Sequence, residues 1–440
     1  MSKSFDIILV PIILSLFLAI TFQLQAQDIS KKDKTDLIKE LTEKLEKYYT
    51  SEETGIKLNK EINRKFVDGE YDLLNSTDEL TQQLTEDLIE ISNDTHFLVF
   101  HDPERGMEML TDDGSQSNPP EYAEEARWKN YGFKELKILE GGIGYLNLTE
   151  FYDLKLAAET ASEAMNFFSD CNGLIIDLRY NGGGSGDLVE FLAGYFFDTE
   201  FAILLNIKYS KTSDVYWPSM IPSYVPGKKL NNIPLYVLTS KGTASAAEGF
   251  AFIMSNLNDN ATIVGETTAG AENPIDYIVV GKEFILRIPS WSSIYSKISG
   301  GWEAVGITPD IETDSFNALK TAHLDLLEKL KSTSTNDKIS QRYKWSLDGV
   351  KAEYTPAIVD EELLKKYAGK YGNRDIYFEN GKLLYQYKGR TKREMNGVTS
   401  DYFVVEGYDW FRIKFNMEDN RVTGMEEIQS SGQSAKLKKD

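Results

Sequence analysis

Gly173-Leu174-Ile175-Ile176-Asp177-Leu178-Arg179-Tyr180-Asn181-Gly182-Gly183-Gly184 is the stretch on which the fold turns. Residues 173–178 are almost continuously apolar, the pattern of a strand covered on both faces. Three glycines end that strand, and a helix is expected over residues 186–197. The same grammar returns in Val237-Leu238-Thr239-Ser240-Lys241-Gly242-Thr243-Ala244-Ser245-Ala246-Ala247-Glu248, where a strand over residues 235–239 passes through a short turn into a helix over 246–257. Further strands are expected at 142–148 and 261–264, and a helix at 156–168. Strands alternating with helices imply an α/β core with mostly parallel pairing. A helix from residue 315 to about 330 closes the unit.

The flanks differ in character. Upstream, residues 28–101 carry helical periodicity, with Leu37, Leu41 and Leu45 on one face and Leu80, Leu84 and Leu88 on another. A small helical bundle is expected there, ending in a short strand-like stretch at 97–101. Residues 102–132 are polar and turn-rich and read as a linker or lid, and the core is assigned to 133–335. Residues 336–360 read as a second linker. In 361–440, Asn380-Gly381 between two alternating runs is a hairpin signal, and a small antiparallel β domain is expected.

The 440 residues include 48 Lys+Arg against 69 Asp+Glu, a formal net charge of -21. So acidic a chain repels phosphate backbones, which argues against nucleic acid as a partner. Lys3, an apolar run over 7–20 and the polar stretch after it read as a secretory signal peptide spanning 1–27, cleaved near Ala26 or Gln27. The expected location is secreted or periplasmic, with no stable membrane insertion after cleavage. Cys171 is the one cysteine, so no internal disulfide forms. Three scattered histidines and one cysteine offer no usual ligand spacing, so neither a metal nor another cofactor is expected.

Two segments can do chemistry. Glycines 182–184 let backbone amides approach a ligand and point at developing negative charge. A phosphate loop would need Lys-Ser or Lys-Thr next, and Ser185-Gly186-Asp187 supplies neither. Ser245, at a strand-to-helix junction, presents its hydroxyl beside the free amide of Ala246 and the positive end of the helix dipole. Taken alone, Ser245 is better read as an ordinary helix cap.

The Asp-Leu-Arg-x-Asn-Gly-Gly-Gly stretch is followed by Thr-Ala-Ser-Ala-Ala-Glu, by Val264-Gly265-Glu266-Thr267-Thr268-Ala269-Gly270, and by Val305-Gly306-Ile307-Thr308-Pro309-Asp310. In order and spacing these resemble one family of serine peptidases, which holds the tail-specific (C-terminal processing) proteases, the tricorn core protease and the interphotoreceptor retinoid-binding protein modules. The resemblance runs from about Asp94 to Thr313 and implies a crotonase/Clp-like ββα spiral core. It also implies Ser245 as nucleophile. The tail-specific branch takes a lysine downstream as base, but residues 268–272 contain none and Lys282 lies well past them. The tricorn-like branch takes a histidine from the upstream helical region and a glutamate downstream. The matching residues are His96 as base and Glu303 as its orienter, with the amides of Gly183 and Ala246 as the oxyanion hole. Thr95 stands where that branch has a serine hydroxyl, and Gly182, Gly184 and Thr243 flank the substrate.

Each assignment has a plainer counterpart. His96 also fits a structural histidine at a helix end, and Glu303 an exposed carboxylate. His101 and His323 read as surface residues. No room exists between His96 and the core for the PDZ domain usual in tail-specific proteases, so a peptide or protein substrate is expected to enter the core directly. The rival from another class is a non-catalytic binder of apolar ligands or peptides on the same fold, because fold alone does not fix function. Ser245, His96 and Glu303 together favour the peptidase.

Overall fold

The computed structural model describes residues 28–111, 120–295 and 301–440. The expected signal peptide lies outside the described residues. Helices α1 (Lys31–Tyr48), α2 (Glu52–Val67) and α3 (Thr77–Ser92) form the upstream bundle. Ser30, Ser51 and Ser76 cap them by accepting an amide hydrogen from the first turn. The two expected leucine stripes are fully buried. Asn93 ends α3 in the left-handed conformation that asparagine tolerates (φ 60°).

The chain next forms β1 (Leu98–His101). Where a linker or lid is expected, the structure has α4 (Pro103–Thr111) and α5 (Pro120–Trp128). Each begins with a proline, which supplies helical φ where the missing N–H is not needed. Ala126 of α5 is buried in the core and Tyr122 packs on Tyr152, so short amphipathic segments were concealed by polar turn-rich composition.

The core follows with β2 (Phe133–Leu139), β3 (Ile143–Leu148), α6 (Leu154–Phe167), β4 (Gly173–Asp177) and α7 (Gly186–Ala193). The hairpin β5 (Ile203–Ser210) and β6 (Val215–Ile221) precedes β7 (Leu235–Thr239), α8 (Ala246–Leu257) and β8 (Ala261–Gly265). Then come β9 (Ile275–Val280), β10 (Phe284–Pro289), β11 (Trp291–Tyr295), β12 (Ile311–Glu312) and α9 (Ala318–Thr333).

The main sheet has the order β12-β8-β7-β4-β3-β2, parallel except for the β2–β3 pair. Because β4 and β7 are neighbours running the same way, the glycine loop after one and the serine turn after the other emerge side by side. This is the carboxyl edge of a parallel sheet, where α/β folds bind ligands. Two smaller sheets flank it, β11-β5-β6 and β1-β10-β9. In the latter, β1 pairs with β10 through Leu98–Arg287 and three further positions, and Val280, Phe284, Leu286 and Ile288 join the apolar core of the bundle. The bundle is therefore tied to the core by a shared sheet and a shared interior, and His96 sits just before that seam.

The expected second linker contains α10 (Asp337–Tyr354), which packs Leu347 and Val350 against the core. Sparse apolar positions among many charges hid it. Residues from Gly369 to Lys438 form an eight-stranded antiparallel sheet, the expected C-terminal β unit. Its Asn380-Gly381 turn has positive φ at both residues (51° and 79°), as a type I′ hairpin requires. The expected α/β class is thus present, with helical and β additions at either end. No helix among the described residues is long and apolar enough to cross a membrane.

Candidate active site

Ser245 adopts φ 52° and ψ -121°. An ordinary cap residue sits in the β region, whereas this conformation is sparsely populated for a residue with a Cβ and costs of order 1–3 kcal/mol. A sharp strand-to-helix turn of this kind lifts a serine Oγ clear of the sheet. What holds it is Glu248, fully buried one turn into α8. Its carboxylate accepts the Ser245 amide (2.9 Å), the Gly270 and Ala271 amides (2.7 and 2.8 Å) and the Thr268 hydroxyl. The segment where a base lysine is absent is therefore used to fix the serine turn. Lys282 lies in the β9–β10 turn, its carbonyl against Gly106 of α4.

Gly183 (φ 116°) packs on this turn so closely that a Cβ there would lie 2.7 Å from that of Ser245. Its amide, however, donates to Asn181 Oδ1 (2.9 Å) and is not available as an oxyanion donor. Gly184 lines the same cavity as Ser245 and Ala246. Its neighbours Gly183 O and Ser185 N bond to Phe151, while the Gly184 amide enters no such bond. Gly182 is exposed and does not line the cavity. Thr243 is buried, its hydroxyl donating to Leu178 O and accepting from Ser240 N. That threonine ties the two strand ends together and does not face a ligand.

The cavity measures about 270 Å³. Its walls are mainly apolar, from Val189, Leu205, Phe252, Ile253, Ile275 and Trp302, with Glu190, Asn206, Lys208 and Ser219 among them. The Glu190 carboxyl is pushed up by burial, a shift held back by the Ser219 hydroxyl bonded to it.

His96 belongs to a second cluster. Its Nδ1 lies 3.0 Å from Asp94 Oδ1, which also accepts the His96 amide at 3.0 Å. Asp94 is 2% exposed and takes a further bond from the Tyr49 hydroxyl (3.0 Å). Burial alone raises the Asp94 carboxyl, but the His96 ring and amide outweigh it and hold the group below the usual range. Arg287 Nε donates to the His96 carbonyl (2.6 Å), fixing the ring's backbone on β10.

Glu303 approaches the same point: a ligand atom from each of Asp94, His96 and Glu303 lies within 4.8 Å of the others. Such a trio is close enough to hold a divalent cation, a convergence the spacing along the chain did not disclose. The Glu303 carboxyl is raised by burial and by the facing Asp94 charge, and lowered in part by the amides of Glu272 and Asn273. The direct partner of the imidazole is thus Asp94, not the expected Glu303. Asp94 was missed because a carboxylate two residues before a histidine reads as a turn residue. Thr95 is exposed and its hydroxyl joins none of these bonds.

His96 Nε2 is buried without a partner, so no hydrogen bond joins it to Ser245 here. The two clusters meet through the chain: Trp302 and Glu272 line the cavity, and Glu303 and the Glu272 amide lie behind that wall. His323, expected at the surface, is 3% exposed, its Nε2 2.9 Å from Glu140 O, because α9 turns that face onto the sheet. His101 is largely covered as well, its ring tilted against that of Phe284 (centroids 4.9 Å apart).

Comparison with known proteins gives two family matches. Residues 142–313 match the model of peptidase family S41, and residues 25–136 match the N-terminal domain of that peptidase in eukaryotic IRBP. Among solved structures, the chain is similar to a photosystem II D1 C-terminal processing protease (23% identity, 39% of this chain and 42% of that one, TM-score 0.33). It is also similar to a lipoprotein from Streptococcus agalactiae (16%, 74% and 100%, TM-score 0.42) and to the tricorn protease (12%, 66% and 36%, TM-score 0.41). The chain spans less than half the length of the first of these.

Proposed function

The chain belongs to peptidase family S41, and we propose that it cleaves peptide bonds with Ser245 as nucleophile and His96 as base. The single observation that carries this reading is the strained backbone of Ser245 beside a cavity. A serine that merely capped α8 would have no need of it.

In this mechanism His96 Nε2 takes the Oγ proton as Oγ attacks the scissile carbonyl. The resulting oxyanion is held by the amides of Ala246 and Gly184, each such donor being worth roughly 3 kcal/mol. His96 returns the proton to the leaving amine, and an acyl-enzyme remains. Water, deprotonated by the same ring, then releases the acid and restores Oγ–H. Asp94 holds Nδ1–H and stabilises the imidazolium; Glu303 adds negative charge behind it. The His96–Ser245 bond forms when substrate fills the cavity, since catalytic hydrogen bonds commonly tighten in the substrate complex. Residues 1–27 act as an export signal, so the substrate is an extracytoplasmic peptide or protein.

Labelling with a fluorophosphonate probe tests the assignment. Loss of labelling in both Ser245→Ala and His96→Ala is expected. Loss in the first with retention in the second would move the base to Lys208, the one lysine lining the cavity among the described residues. A folded wild type that never labels would favour the non-catalytic binder.

A further inference from the structure

Asp94, His96 and Glu303 each bring one ligand atom to within 4.8 Å of the others. His96 Nδ1 and Asp94 Oδ1 are already 3.0 Å apart. Around a tetrahedral zinc ion, bonds of about 2.0–2.1 Å put neighbouring ligand atoms roughly 3.3 Å apart, so a short approach by Glu303 closes the set. Both carboxylates are anchored from behind. The Tyr49 hydroxyl donates to Asp94 Oδ2, and the Glu272 and Asn273 amides donate to Glu303 Oε2, leaving Oε1 outside these bonds. Outer contacts of this kind orient the ligands of metal sites.

A catalytic histidine needs one carboxylate behind it, and His96 has two. The Asp94 charge bears on Glu303. Among the described residues the ion-pair partner of Asp94 is His96, and no lysine or arginine pairs with either carboxylate. Two like charges withdrawn from water are costly side by side, and a cation between them relieves that cost. We propose that Asp94, His96 and Glu303 bind a divalent cation of the zinc class, and that the bound ion reversibly switches off the peptidase. One imidazole nitrogen with two carboxylate oxygens suits zinc, whereas calcium and magnesium take sets of oxygens.

The switch rests on the reading of His96 as base; the binding does not. A neutral imidazole has one N–H and one lone pair. If zinc takes Nδ1, the ring proton is left on Nε2. If zinc takes Nε2, the lone pair there is consumed. Either way Nε2 cannot accept the Ser245 Oγ proton, and removing the ion restores it.

The test titrates zinc chloride against the full chain in competition with a chromophoric chelator, for wild type, Asp94→Asn, His96→Ala, Glu303→Gln and Tyr49→Phe. One zinc per wild-type chain is expected, with affinity lowered about 10-fold or more in every variant. Tyr49→Phe keeps all three ligands and the stacking on Phe97, so it decides the matter should the others fail to fold. No binding, binding retained in His96→Ala, or equal competition by calcium overturns the proposal. Fluorophosphonate labelling reads the switch: zinc should suppress it and EDTA restore it. Labelling that persists with zinc bound overturns the switch, and its survival in His96→Ala would then place the fault in the base assignment. A wild type that never labels removes the Ser245 reading, while the zinc titration still decides the site by itself.

Discussion

Glu272 and Glu303 hold each other's backbone. The Glu272 carboxylate accepts the amide hydrogens of Trp302 (2.7 Å) and Glu303 (3.1 Å), and Glu303 Oε2 accepts those of Glu272 (2.8 Å) and Asn273 (3.1 Å). One side of this reciprocal clasp is the cavity wall at Glu272 and Trp302; the other carries Glu303 to His96 and Asp94. The clasp thus joins the cavity wall to the cluster proposed to supply the base.

The strain at Ser245 leads to a trade between stability and activity. Ser245→Gly removes the Cβ that disfavours φ 52° and is expected to stabilise the fold by about 1 kcal/mol while abolishing activity. Urea unfolding checks the first part. An unchanged or lower midpoint would mean that the turn is not strained.

Glu248 receives four hydrogen bonds and is fully buried. Glu248→Gln replaces one oxygen by an NH₂ group that must face backbone N–H donors, so a loss of about 2–3 kcal/mol is expected. Activity should fall as well, because the serine turn loses its anchor. A silent Gln variant would show that the carboxylate is dispensable.

Asp94→Asn keeps the shape but cannot hold Nδ1–H in the required tautomer, and kcat is expected to drop by about 10³-fold or more with little change in KM. Steady-state kinetics on any cleaved peptide reads this split. A pure KM effect would assign Asp94 to the fold of the 93–97 turn.

Glu303 supplies a pH test. Its carboxyl is raised, first by burial and then by Asp94, so its ionisation weakens the native state. That loss sets in as pH climbs from the ordinary glutamate value, about 4.3, through the higher folded value. Glu303→Gln can still accept the Glu272 and Asn273 amides. Its stability relative to wild type is expected to improve between pH 4 and pH 7, as read by chemical unfolding at the two pH values. Asp94 has the opposite sign: its stabilisation is present above the ordinary aspartate value and fades as pH falls through its lowered folded value.

Much was legible because it is local. Apolar continuity at 173–178 fixed a buried strand, leucines at four-residue spacing fixed the bundle, and Asn380-Gly381 fixed a hairpin, since each depends on residues a few positions apart. Ser245 stood out for the same reason: a strand, a turn and a helix adjoin in the chain. Short helices such as α4, α5 and α10 were not legible, because a few apolar contacts among many charges leave little periodicity.

What only the tertiary structure decided is which groups face one another. The adjacency of β4 and β7 brings Gly183 and Gly184 to Ser245, across a long insertion in the chain. The β1–β10 seam fixes the His96 backbone on the core. Asp94 rather than Glu303 meets the imidazole, and the Gly183 amide is spent on Asn181. Hydrogen bonds are set to tenths of an ångström by packing between elements distant in sequence, and residue type with spacing along the chain carries no record of such distances.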